Sequence, residues 1–135
     1  MSGGDARADT AARDGRIRTA VVGMGWAGRS IWLPRLAQHP AFALTAAVDP
    51  DAVVRASVRR DHPDLTVLPT VDALGAEPVD LAVVAVPNHL HAPVACELLA
   101  RGTPVFLEKP VCLDAAEADQ LAEAERSGGT VLLAG

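Results

Sequence analysis

The stretch Ile17-Arg-Thr-Ala-Val-Val-Gly23-Met-Gly25-Trp-Ala-Gly28 decides how this chain folds. Ile17, Thr19, Val21 and Val22 are β-branched and favour an extended strand. That strand runs directly into Gly23-x-Gly25-x-x-Gly28, and an apolar-periodic segment follows, so strand, tight turn and helix start come in immediate succession. Each glycine has its own duty in such a turn. Gly23 permits the sharp reversal, Gly25 leaves the backbone bare where phosphate must approach, and Gly28 lets the helix pack close to the strand. The helix beginning near Trp26 offers unpaired N–H groups and the positive end of its dipole to an anion. The unit suits the pyrophosphate of a dinucleotide. The glycine spacing also occurs by chance, so its neighbours decide its meaning.

The first neighbour is Asp49. Phe42 to Val48 reads as a second strand and delivers this carboxylate roughly twenty residues after Gly28, where a dinucleotide fold places the group that accepts hydrogen bonds from the adenosine ribose. The same charge repels a 2′-phosphate, and Asp51 adds to it. The nearest cation, Arg55, has Asp51 as an i,i+4 partner on the following helix. These charges favour NAD over NADP. Asp51 is also the better N-cap for that helix, which leaves Asp49 for a ligand.

Strands and helices alternate through the rest of the chain. Residues 26–38 read as the first helix, with Pro34 as an awkward interior residue that kinks it. Residues 51–61 read as the second helix, 65–68 as a third strand and 71–74 as a single helical turn. Residues 79–86, Val-Asp-Leu-Ala-Val-Val-Ala-Val, are almost unbroken apolar sequence, as for a central strand buried on both faces. It ends in Pro87-Asn88-His89-Leu90-His91, polar residues at the edge where open α/β sheets bind ligands. A helix over 91–101 stops at Gly102, and a fifth strand over 103–107 ends in Glu108-Lys109-Pro110. Asp114 caps a helix running to Ser127, with Gly128-Gly129 as its stop, and 130–134 is a sixth strand. The fold class is therefore α/β, a doubly wound parallel sheet of the Rossmann kind. One domain covers 16–135, behind a leader at 1–15 without apolar period that is expected to be disordered.

Composition narrows the function classes. Half of the 135 residues are hydrophobic, yet there are two Phe, two Trp and no Tyr, so the core is aliphatic. A net charge of −5, without a basic cluster interleaved with aromatics, argues against nucleic-acid binding. The longest apolar run is interrupted by Asp80 and is too short for a membrane span, and the amino terminus has no signal-peptide core. A soluble, cytoplasmic protein is expected. Cys96 and Cys112 lack metal-ligand spacing and read as buried free thiols, with no metal site expected.

Gly23-x-Gly25-x-x-Gly28, Asp49, Pro87-Asn88-x-x-His91 and Glu108-Lys109-Pro110 together resemble the amino-terminal domain of the Gfo/Idh/MocA oxidoreductases, the family of glucose–fructose oxidoreductase and inositol dehydrogenase. The resemblance runs from Ile17 to the last residue, and its second and third motifs are far more specific than the glycine turn. Val86 stands where Thr is common, and Trp32 where His is common before Leu-Pro. The resemblance implies that Gly23, Gly25, Trp26 and Gly28 surround the pyrophosphate and that Asp49 holds the adenosine ribose. It implies that Pro87, Asn88 and His91 line the groove towards the nicotinamide. Glu108 and Lys109 would lie near the nicotinamide ribose and substrate hydroxyls, with Pro110 after a cis peptide bond.

The implied reaction is hydride transfer between a nicotinamide and a hydroxyl-bearing carbon of a sugar, cyclitol or related polyol; the family's second domain usually supplies the general acid or base, and within this chain Lys109 and His91 are the candidate proton-handling groups. In this family a second α/β domain follows the sixth strand and supplies most of the substrate pocket. The chain stops at that junction, so by itself it is expected to bind NAD(H) with little or no turnover. Two other readings stand beside this one: a non-catalytic NAD-binding sensor or scaffold, and one half of a split dehydrogenase completed by a partner chain. The surface that the second domain covers is expected to be apolar and to favour a homo-oligomer or such a partner.

Several side chains keep two readings. His91 either bonds to backbone at its helix start or touches the ligand, and His89 is expected to face solvent. Lys109 is either a solvated loop residue or part of the site. Arg29 and Ser30 follow the glycine turn and have access to phosphate. Trp26 and Trp32 either stack on a ligand or pack against the protein.

Overall fold

Strand β1 (Ile17–Val22) is the axis of the sheet. It pairs in parallel with β2 (Phe42–Val48) on one side and with β4 (Leu81–Val84) on the other. Beyond β2 lies β3 (Thr66–Leu68), and beyond β4 lie β5 (Val105–Leu107) and β6 (Leu132–Ala134), so the six strands run in the order 3-2-1-4-5-6. This is the doubly wound parallel sheet expected from the sequence. The chain winds one way from β1 and the other way from β4, and the carboxyl ends of these two strands part to leave a crevice. The computed structural model describes residues 15–135, so the leader expected at 1–15 lies outside the described residues except for Gly15.

The unbroken apolar strands are explained by burial on both faces. Ala20 and Val22 of β1 face one core with Val84, Leu98, Leu107 and Leu121, while Val21 faces the other with Leu33, Ala47 and Val58. The second core is covered by helix α1 (26–38) and helix α2 (Ala52–Asp61). The first is covered by α3 (His91–Ala100) and α4 (Ala115–Gly128). Trp32 takes its packing role: its ring lies edge-on to Phe106 of β5, with centroids 5.2 Å apart.

Helix α1 spans the expected residues, but its middle is widened. Gly28–Trp32 form a π-helical turn ahead of the α-helical segment Leu33–Gln38, with the Leu33 N–H donating to the Gly28 carbonyl. In a regular α-helix the Pro34 ring would strike the carbonyl four residues back. The wider turn just before Pro34 makes room for it, where the sequence leads one to expect a kink.

Helix ends follow the sequence signals. Asp51 accepts the N–H groups of Val53 and Val54, and Asp114 accepts that of Glu117. Gly129 closes α4 in the left-handed region at φ 62°. Strands β3, β5 and β6 begin later than expected because nearby backbone is already committed. The Leu65 N–H bonds to His62, the Thr103 N–H to Leu98 and the Thr130 N–H to Glu125, each closing the preceding helix or turn, and Pro104 has no N–H. Cys96 and Cys112 are free but half-buried rather than buried, and burial, with Glu117 nearby, pushes the Cys96 thiol up. Among the described residues no helix is long and apolar enough to cross a membrane, and no cluster of three or more His, Cys, Asp or Glu could hold a metal ion.

Strand β4 is shorter than its apolar run, and Asp80 just ahead of it is tied to β1. Its carboxylate receives Arg18 Nε at 2.9 Å, Arg18 Nη2 at 2.7 Å and the Arg18 backbone N–H at 2.9 Å. This clamps the amino ends of β1 and β4. The hydrogen bonds from Arg18 hold the Asp80 carboxyl below its ordinary value, against the opposing cost of burial. An unfolded aspartate titrates near ~3.9, so the clamp contributes in full above about pH 4 and is lost as the pH falls through the lower folded value. Asp80 is partly exposed, so Asp80→Asn should cost about 1 kcal/mol at neutral pH. Urea melts should show the gap between variant and wild type closing below about pH 4; a gap that persists into acid would contradict the clamp.

Candidate functional site

The site is built on the turn after β1. Gly23 sits at φ 101°, and a Cβ there would lie 2.6 Å from the Ala85 carbonyl oxygen, so both conformation and space demand glycine. Gly28 is tighter still, since a Cβ would fall 1.8 Å from the Gly23 carbonyl oxygen. Gly25 differs from both. A Cβ on it would meet nothing within 4 Å, and its backbone is exposed to the crevice. The Arg29 N–H donates to the Gly25 carbonyl at 3.0 Å as the helix begins. The helical ladder thus leaves the N–H groups of Trp26, Ala27 and Gly28 without an intrahelical acceptor.

Asp49, just past the end of β2, lies directly beside this turn. Its Oδ2 accepts the Met24 N–H at 2.9 Å and its Oδ1 accepts the Asp51 N–H at 2.9 Å. One carboxylate therefore ties the glycine turn of β1 to the end of β2, with acceptor capacity left on both oxygens. Asp51 is spent as the α2 cap. Arg55 does not pair with Asp51 as expected. Its Nη1 reaches back to the carbonyls of Asp49 at 3.0 Å and Pro50 at 2.7 Å, because those acceptors lie open at the strand end while the Asp51 carboxylate is turned into the cap.

Between these elements lies a cleft of about 620 Å³. Gly23, Gly25 and Trp26 form one wall, Asp49 and Pro50 a second, and Val86 and Pro87 a third. Trp26 is 75% exposed at the mouth, so its indole does not pack into the core. Gly28 lies behind the turn and does not line the cleft. Asn88 is exposed at the start of a short 3-10 turn, Asn88–Leu90, and His89 beside it faces solvent as expected.

The motif after β5 ends beside the one after β4, since these strands are neighbours in register at Val84↔Leu107. Glu108 is half-buried, Lys109 is exposed, and neither lines the cleft itself. The Lys109–Pro110 peptide bond is cis, as the resemblance implies.

Two candidate side chains are turned to the protein itself. His91 is 3% exposed, with Nδ1 2.6 Å from the Pro110 carbonyl oxygen and Nε2 3.0 Å from that of Val86. Both ring nitrogens face backbone carbonyls, an arrangement that suits its backbone-bonding reading. Arg29 turns away from the glycine turn as well. Its Nη2 bonds to Ser57 and, at 2.7 Å, to Asp61 Oδ2, joining α1 to α2.

Residues 17–135 match the family model described as "Oxidoreductase family, NAD-binding Rossmann fold", GFO_IDH_MocA. The chain belongs to the Gfo/Idh/MocA oxidoreductase family. It is 58% identical over 122 residues to a protein of Amycolatopsis mediterranei whose name assigns it provisionally as the oxidoreductase subunit of a UDP-kanosamine synthase. That match covers 88% of this chain and 33% of the relative. It is 31% identical over 112 residues to an inositol 2-dehydrogenase of Corynebacterium glutamicum, covering 82% of this chain and 33% of that protein. Among solved structures it superposes on GenD2 from gentamicin A biosynthesis, in complex with NAD, with a TM-score of 0.79 and 36% identity, over 89% of this chain and 34% of GenD2. The chain spans about a third of the length of the curated relatives it matches.

Within this Gfo/Idh/MocA domain, sequence reasoning missed the apolar lining of the cleft. Val48, Pro69, Val71, Ala85, Leu90 and Val94 all face it, and only Leu90 falls within a motif, at one of its unspecified positions. The signal that could have found most of them is positional, because they lie at or just past the carboxyl ends of β2, β3 and β4, the edge where a doubly wound sheet binds its ligand.

The glycines separate in a stability test. Gly28→Ala should cost roughly 1–3 kcal/mol by overpacking, and Gly23→Ala a comparable amount with about 1–2 kcal/mol of it from the positive φ. Gly25→Ala should change stability by less than about 0.5 kcal/mol. Thermal melts of the three variants check the order; a melt of Gly25→Ala as low as the others would show that its backbone is confined.

Proposed function

We propose that this domain holds NAD(H), in preference to NADP(H), for hydride exchange with a hydroxyl-bearing carbon of a sugar, cyclitol or related polyol. The observation that carries the cofactor preference is the Asp49 carboxylate, fixed by two backbone N–H groups on the cleft wall. Ribose hydroxyls donate to its remaining lone pairs, whereas a 2′-phosphate meets like charge. Arg55, the cation that could answer that phosphate, is bonded to the carbonyls of Asp49 and Pro50.

The bare backbone of Gly25 admits the pyrophosphate, and the helix-start N–H groups from Trp26 onwards donate to it. Gly23 and Gly28 hold that turn in shape. A dinucleotide anchored at Asp49 and crossing the glycine turn then extends towards the ends of β4 and β5, where Pro87, Asn88, Glu108 and Lys109 lie. When bound, the nicotinamide supplies hydride exchange at its C4. Lys109, exposed past β5, is the group that takes or returns the substrate hydroxyl proton. His91 is left out of that role by its two backbone contacts.

The relative at 58% identity is named for a UDP-kanosamine synthase, which makes nucleotide-linked sugars the first substrates to test, with inositols next. The same name describes a subunit, which supports association with a further chain. Among the described residues Asp49 is the one charged side chain in the cleft lining, and the dinucleotide takes its acceptor capacity. The 135 residues alone are therefore expected to bind cofactor with little or no turnover.

Fluorescence titration tests this reading. NADH should bind at least roughly tenfold tighter than NADPH, and Asp49→Ala should weaken NADH by roughly tenfold or more while narrowing that preference. Failure to bind either cofactor would overturn the proposal. A panel of UDP-sugars and inositols should show no turnover above background with the isolated chain, and vigorous turnover would refute its inactivity.

A further inference from the structure

His91 does structural work that no hydrogen bond of the sheet performs. The ladder between β4 and β5 ends at Val84↔Leu107. Past that pair the two strands continue as separate loops, 85–90 and 108–113, and among the described residues no backbone–backbone hydrogen bond joins them. The His91 imidazole takes over where the ladder stops. It stands at the start of α3, buried between the loops, with one nitrogen against the Val86 carbonyl and the other against the Pro110 carbonyl. Val86 and Pro87 are cleft wall, and Pro110 is bonded directly to Lys109. A carbonyl oxygen only accepts, so the ring must be the donor: neutral imidazole serves one carbonyl at a time, and imidazolium serves both.

We propose that His91 is a positioning residue, a buried cross-link that sets Glu108 and Lys109 against the Val86-Pro87 wall and so shapes the nicotinamide half of the site. The adenosine half has its own cross-link in the Asp49–Met24 bond, on the other side of β1. The two halves of the cleft are thus held by independent side-chain-to-backbone ties. This inference rests on the dinucleotide reading above. It adds that the halves can be loosened separately.

Calorimetric titration with ADP-ribose and with NADH reads the halves apart, since ADP-ribose lacks the nicotinamide. In the wild-type chain NADH should bind more tightly than ADP-ribose. His91→Leu, which removes both contacts, should leave ADP-ribose affinity within about twofold while weakening NADH roughly tenfold, so that the ratio of the two falls towards one. His91→Gln retains an N–H for one carbonyl and should recover an intermediate ratio; it carries the test should the Leu variant fail to fold. Lys109→Ala should weaken NADH in the wild-type background but add little to the effect of the His91 variant, because its position is already lost. Equal weakening of both ligands would reduce His91 to a general stabiliser, and an unchanged ratio would remove it from the site; either result overturns the inference. Failure of the wild type to bind ADP-ribose and NADH at all is a different result, which overturns the dinucleotide reading itself.

Discussion

At the turn after β1 the α carbon of Gly28 lies against the carbonyl of Gly23, where a Cβ would fall 1.8 Å from oxygen. Only hydrogen fits there. That contact brings the start of α1 down onto the end of β1 and opens a backbone surface at Gly25 with no side chain on it. The remaining geometry is arranged around this junction. β1 has neighbours on both sides, its residues alternate between two cores, and the crossing of the chain at β1 and β4 leaves the crevice into which the bare turn projects.

The sheet cannot organise the loops beyond its own ends, because a parallel ladder stops with its strands. Those loops are held instead by side chains bonding to backbone. Asp49 accepts from Met24 and Asp51, Arg55 donates to Asp49 and Pro50, and His91 meets Val86 and Pro110. Each tie joins segments that follow different strands or a strand and a helix. Polar residues at the carboxyl edge thus serve two purposes, and the two are hard to tell apart in a sequence. Asp49 ties the turn and keeps acceptor capacity facing the cleft, whereas His91 spends both nitrogens on the protein. The amino edge has its counterpart in the Arg18–Asp80 clamp, which lies far from the cleft and serves stability.

Much of this was legible from residue patterns because it depends on local chemistry. The glycine spacing, the β-branched strands, the caps at Asp51 and Asp114 and the stop at Gly129 are short-range effects, and the helices and strands formed near the expected residues. Strand ends were less legible. Thr103 and Thr130 look like strand residues but close the preceding helices, and Asp80 interrupts an apolar run because its partner, Arg18, lies on another strand. The π-turn ahead of Pro34 has a local cause, yet whether a proline kinks a helix or widens it depends on what the helix packs against.

By itself the sequence determined the class of fold, the glycine turn after β1 and the acidic residue at the end of β2, since spacing along the chain dictates each of them. It carried the family as well, through Pro87-Asn88-x-x-His91 and Glu108-Lys109-Pro110. What the tertiary structure alone decided is how shared residues are spent. Arg29 turns to Asp61, Arg55 to two carbonyls, and His91 to two loops, because hydrogen-bonding groups take the nearest unsatisfied partner in three dimensions. Which partner is nearest is a property of the packed sheet and its helices, and no spacing in the chain records it.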